Sequence, residues 1–244
     1  MLDAQTGLPI SGTVTVALER PQGDFSILLQ TIADSFGNFR FDNVPIVVND
    51  AAANGYAIMV TAQDASGALF TPALLTSGGG DLGSGDPIIP GTNVGTILLQ
   101  QASTGTFTGT VSSSDLTNTP VSVRVHLAAP LTIFSGRRFP VPFAVQPSDL
   151  ITDPANVSCS RGSGACVGFS LLLSANPLQV ATFNRLGFVF VPSAQPANYQ
   201  LLFQAFSIAT NQPDCIPNTV QGLSSSLSPG QAVTLANQQF MVCQ

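Results

Sequence analysis

TVTVAL, residues 13–18, is the stretch on which the fold class turns. In an extended chain alternate residues share a face, so Val14, Val16 and Leu18 fall on one side and Thr13, Thr15 and Ala17 on the other. β-Branched residues repeating at that period suit a strand and make poor helix. The same alternation returns in VSVRVHL, residues 121–127. Elsewhere Gly (22 residues) and Pro (18) interrupt the chain before a helical pattern of useful length can develop. An all-β fold is predicted.

Composition points the same way. The chain has 244 residues, enough for two domains that each bury a core. Only 8% of residues are charged, against about 25% in a typical globular domain, so Ser, Thr, Asn and Gln must cover the surface. There is no Lys; all seven cations are Arg, and Glu19 is the only Glu among thirteen acids. Solvated helices favour Glu and Lys, and strands favour Val, Thr and Phe. A net charge of −6 argues against nucleic acid as a partner. No apolar run approaches the roughly 18–20 residues of a membrane-spanning helix. No basic stretch and apolar segment follow Met1, so no secretory leader is expected there.

The four cysteines, Cys159, Cys166, Cys215 and Cys243, all lie in the second half. They admit three pairings. The expected ones are Cys159–Cys166, closing the SRGSGA loop, and Cys215–Cys243, pinning the last strand. A zinc site would need a tighter cysteine clip and more soft ligands, so no metal is expected. Paired cysteines imply an oxidising, extracellular or cell-surface location.

The chain also repeats itself. TVTVALERP (13–21) has a counterpart in VSVRVHLAAP (121–130), and GNFRFDNVP (37–45) in LGFVFVP (186–192). NGYAIMVTAQ (54–63) matches ANYQLLFQAF (197–206), and VGTILLQ (94–100) matches QQFMVCQ (238–244). Four blocks in one order predict two tandem Ig-like, prealbumin-like β-sandwich domains, 1–103 and 104–244. The second copy carries an insertion, about 131–182, of the kind that decorates a sandwich and holds function. It also opens with a strand, TFTGTV (106–111), for which the first copy shows only Met1-Leu2. Either the terminus is trimmed, or a neighbouring subunit supplies the strand by addition to an open edge.

DAQTGLPISG (3–12) followed by TVTVAL resembles the start of a carboxypeptidase regulatory-like (prealbumin/transthyretin-like) domain. The family's D-x-x-G-x-F-x-F-x-x-V-P block and G-Y strand are matched by Asp34, Gly37, Phe39, Phe41, Val44, Pro45, Gly55 and Tyr56. The resemblance covers roughly residues 1–100 and reaches the second half only through the repeat. It implies a seven-stranded sandwich used as a non-catalytic module of secreted and surface proteins, with no catalytic set to carry over.

Residue by residue, little chemistry is on offer. His126 is the only His and stands on the polar side of its strand, with no G-x-S-x-G elbow in the chain to serve. Asp24, Asp34, Asp42, Asp64 and Asp115 sit in turn-rich stretches, where a carboxylate bonds nearby backbone. Gly78-x-Gly80-x-x-Gly83 has the form of a dinucleotide fingerprint, but Asp81 and Asp86 would repel phosphate and Pro87 follows instead of a helix. No catalytic residue, cofactor or metal ligand is predicted. Arg137-Arg138-Phe139 is a candidate patch for a partner, and Asn156-Val157-Ser158 is an N-glycosylation sequon. Sugar binding, which relies on exposed aromatics, has little to use: there is no Trp, and Tyr56 and Tyr199 occupy equivalent repeat positions.

The expected function is that of a non-enzymatic extracellular structural protein, a surface-layer, adhesin or filament subunit that associates with itself or with other surface proteins, with strand donation as one means of assembly. The alternative is a glycan- or peptide-binding accessory module of a secreted enzyme or outer-membrane transporter.

Overall fold

The computed structural model describes residues 1–19, 27–45, 55–77, 85–113, 121–128, 138–140, 150–151, 165–184, 187–191, 196–205, 222–236 and 238–239; for several second-half strands it describes the backbone alone. Every regular element among these residues is a strand, so the fold is all-β, as the alternation predicts. The first half holds β1 (Leu2–Asp3), β2 (Gly12–Glu19), β3 (Ile27–Ile32), β4 (Ala57–Asp64), β5 (Ala73–Thr76) and β6 (Leu98–Leu99). The second holds β7 (Thr104–Ser113), β8 (Val121–Ala128), β9 (Arg138–Pro140), β10 (Leu150–Ile151), β11 (Ala165–Ser174) and β12 (Gln179–Asn184). It continues through β13 (Gly187–Val191), β14 (Ala197–Ala205), β15 (Gly222–Leu227), β16 (Ala232–Thr234) and β17 (Gln238–Gln239).

TVTVAL lies in β2, at the heart of a six-stranded sheet ordered β13-β12-β5-β4-β2-β3. Both faces of this sheet are buried. Val14, Val16 and Leu18 join Ile58, Val60, Leu75 and Phe183 in one core, with Met1, Tyr56, Phe70, Ile88 and Ile97. Ala17, from the opposite face, joins Ala57, Met59, Leu74 and Val180 in a second core. There they meet Phe107, Phe169 and Leu171 of the sheet built on β7 and β11, and Val125, Leu127, Tyr199 and Leu201 of the β15-β14-β8-β9 sheet. Thr15 and Thr61 are buried as well, and register-paired on β2 and β4. Each large apolar side chain buried here, Met59, Leu74 and Phe107 among them, contributes about 1.5–3 kcal/mol from water exclusion.

Several strands of the two halves are paired alike. β2 runs antiparallel to β4, and β8 to β14. β4 then pairs antiparallel with β5, and β14 with β15. The opening strand of each half pairs parallel with its last: β1 with β6 through Leu2↔Leu98, and β7 with β17 through Val111↔Gln238. The opening strand of the first half is thus present, as two residues against ten in β7.

Two features depart from the expected plan. The boundary at 103/104 falls between β6 and β7, yet the sheets do not divide there. β12 pairs parallel with β5, and its hairpin partner β13 forms the edge of the first half's sheet. Within the region expected as an insertion, β11 belongs to the framework, pairing with β7 along ten residues. GNFRFDNVP forms no strand, whereas its counterpart includes β13.

Candidate functional site

The turn after β3 is built by one side chain. Asp34 Oδ1 accepts from the Phe36 and Asn38 amides at 2.9 and 2.8 Å, and Oδ2 accepts from Asn38 Nδ2 at 3.2 Å. These bonds, the Asn38 amide first, hold the Asp34 carboxyl below its ordinary pKa despite its exposure. Gly37 takes φ +77°, and a Cβ there would collide with the Met1 carbonyl oxygen. Phe39 and Phe41 follow, edge to face at 6.0 Å, both half-buried on the first core. Arg40, between them, is exposed and pairs with Asp42 at 2.6 Å. Asn43 has φ +56°, a conformation Asn tolerates better than most residues, and turns the chain into Val44-Pro45.

This segment forms one wall of a cavity of 530 Å³. Residues 88–96 line it as well, together with Leu18, Tyr56, Ile58, Met1 and Leu2. The walls are fixed by main chain. Met1 N donates to Gly37 O at 2.5 Å on one side, and Leu2 N donates to Ile97 O at 3.0 Å on the other. Tyr56 ties the floor together, its amide donating to Ile88 O at 2.7 Å and its hydroxyl to Pro45 O at 2.5 Å. Two rim residues are apolar and open to solvent, Phe36 at 76% and Ile89 at 45% of full exposure. Two cationic groups stand in the lining, the Arg40 guanidinium and the Met1 α-ammonium.

The residues singled out from sequence are scattered by comparison. Cys159, Cys215, Cys243, Asn156 and Arg137 lie outside the described residues, as do Asp24, Asp115, Gly78, Gly80, Asp81 and Gly83. Cys166, Arg138 and Phe139 are described in backbone only: Cys166 stands opposite Ser112 in the β11–β7 ladder, Arg138 opposite Ala128 and Phe139 opposite Leu127. His126 is half-buried on β8. Asp64 acts as Asp34 does, accepting from the Ser66 hydroxyl at 2.6 Å and from the Ser66 and Ala68 amides. Tyr56 and Tyr199 are both buried and both donate to a main-chain carbonyl, Tyr199 to Ser174 O at 2.7 Å. Among the described residues no three of His, Cys, Asp and Glu come together as a metal site would require.

Glu19 is the residue that sequence reading passes over. It ends β2 after an irregularity in register at Leu18/Glu19, opposite Ala57. The side chain is fully buried, and among the described residues neither carboxyl oxygen has a hydrogen-bond partner. Burial pushes its pKa up to about 9, so the group is a neutral acid at pH 7. No local signal marks it, since the strand pattern does not say that the Ala17 side of β2 is buried.

No family model matches the chain, and no curated protein matches it. Among solved structures, GBS52, the minor pilin of Streptococcus agalactiae, aligns at 11% identity over 98% of this chain and 87% of that one, with a TM-score of 0.22. A putative adhesin of Bacteroides ovatus aligns at 12% identity over 98% and 88%, with a TM-score of 0.24. At such TM-scores neither likeness bears on fold or function.

Proposed function

We propose that this chain is a non-enzymatic extracellular structural protein, a subunit of a surface layer, adhesin or filament, which joins its neighbours by accepting an extended strand. The observation that carries this reading is the 530 Å³ cavity between residues 36–44 and 88–96. Main-chain walls and an apolar rim are what β-strand addition needs, since backbone bonds supply affinity and side-chain pockets supply specificity. The outer edge of the same half supports it too. β3 ends the six-stranded sheet, with Ile27 and Ile32 exposed on it, a kind of edge that soluble monomers ordinarily blunt with charge or Pro. The reading includes a carboxypeptidase regulatory-like origin for the first half, supported by the Asp34–Gly37 turn and the buried Tyr56.

The test is the state of association. Analytical ultracentrifugation over a wide concentration range, with electron microscopy of the concentrated sample, should show dimers or longer assemblies. Ile89→Arg, at the half-exposed rim, should shift the protein to monomer. A monomer at every concentration would overturn the proposal.

A further inference from the structure

We infer that β3 is a docking edge for a second copy of this chain. The two β3 strands lie antiparallel about a two-fold axis at Thr31, with Gln30 of each copy opposite Ile32 of the other. The six-stranded sheets of the two copies then continue into one another. None of residues 27–32 lines the cavity, so this surface is separate from the strand acceptor and is tested separately.

The ladder with β2 decides which main-chain groups of β3 point outward. Ala33 N donates to Val14 O at 2.9 Å, which makes these two residues a hydrogen-bonded pair. Bonded and non-bonded pairs alternate along an antiparallel ladder. Thr31↔Val16 and Leu29↔Leu18 are therefore bonded, whereas Ile32↔Thr15 and Gln30↔Ala17 are not. The N–H and C=O groups of Ile32 and Gln30 point away from β2, and among the described residues no strand takes them up. Both side chains are exposed, Ile32 at 63%. Before Leu29 the irregularity at Leu18/Glu19 breaks the alternation, so Gln30 and Ile32 form the regular part of the edge.

A second copy satisfies all of these groups at once. With the axis at Thr31, Gln30 exchanges two main-chain bonds with Ile32 of the second copy, and the symmetry-related pair exchanges two more. An axis at Gln30 would instead set Ile32 against Leu28, within the irregularity. An axis at Ile32 would set Gln30 against Asp34, whose amide already donates to Asn38 O. The Thr31 register places the two Thr31 side chains as a direct cross-strand pair on one face. It gathers both Ile32 side chains on the other, where they shield each other from water. ILLQTI carries neither charge nor Pro, so two chains of net charge −6 meet here along an uncharged strand. So few bonds hold two free copies only briefly; the pairing lasts where another contact already aligns the copies.

The experiment is disulfide trapping in the full chain. At a non-hydrogen-bonded antiparallel pair the Cα atoms lie about 4.5 Å apart, inside the range a disulfide spans. Under mild oxidation Thr31→Cys should give at least tenfold more covalent dimer on a non-reducing gel than the wild type, whose native cysteines set the background. Gln30→Cys, which faces Ile32 rather than itself, should stay near that background. Gln30→Pro added to Thr31→Cys should abolish trapping, because it removes an outward donor and no bond to β2. Ile32→Lys in the same background should do so without altering the main chain, with circular dichroism showing both proteins folded. Thr31→Cys at background, Gln30→Cys dimerising as readily, or trapping that survives both edge variants overturns the inference. If assemblies form while Thr31→Cys is not trapped, the cavity reading stands and the edge falls. Trapping in a protein that never assembles upholds the edge and overturns the cavity reading.

Discussion

Glu19 holds a fully buried carboxyl group that finds no donor for either oxygen among the described residues. Its pKa rises from 4.5 to about 9 on folding, so the folded chain keeps a proton that the unfolded chain releases. Stability from this group is fully present below pH 4.5 and drains away as pH rises toward 9, at about 1.4 kcal/mol per pH unit. Urea midpoints at pH 5, 7 and 8.5 should fall in that order, and Glu19→Gln should flatten the fall. Equal slopes in the two proteins would contradict the assignment. Asp34 and Asp64 act in the opposite sense. Their amide and hydroxyl partners lower both pKa values, so their contribution is present at neutral pH and lost as pH drops. Those two turns were legible, because an Asp before Ser and Gly bonds backbone within a few residues of itself. Glu19 was not, since nothing local says that the Ala17 side of β2 faces a second core.

At the scale of the element, β2 shows how far alternation carries. TVTVAL identifies a strand, and it divides the residues correctly into two faces. It does not say that the Thr–Ala face is buried too. Small residues on that face, Ala17 beside Ala57 and Met59, let another layer pack closely. Ala17→Asp should therefore destabilise by more than about 3 kcal/mol, whereas Thr13→Asp, on the exposed end of the same strand, should change stability by less than about 0.5 kcal/mol. Thermal melts of the two variants decide it; a benign Ala17→Asp would mean the second core is not closed. The FRF alternation of residues 39–41 went the other way. Its aromatics do reach the first core, but Phe39 and Phe41 pack on each other and Asn43 bends the chain, with no strand forming.

Across the whole molecule, three of the four repeated blocks fall on strands in both halves, β2 and β8, β4 and β14, β6 and β17, whereas GNFRFDNVP forms no strand opposite β13. They did not foretell the β12–β13 hairpin, which joins the other half's sheet through the parallel β5–β12 ladder. One core draws residues from both halves, from Ala17 and Met59 to Phe107 and Leu201. Unfolding should accordingly be a single cooperative event. Calorimetry of the full chain is expected to show one transition with matching calorimetric and van't Hoff enthalpies; two resolved transitions would show that the halves stand apart.

Sequence alone determined what short-range physics can determine: the strand class from period-2 alternation, the Asp-built turns, and the low-charge surface that argues against nucleic acid. Tertiary structure alone decided which faces are buried, where the hairpin of the second half docks, and that a cavity lies beside Tyr56 at the end of β1. Each of these depends on contacts between residues tens of positions apart, which the local pattern of side chains leaves open.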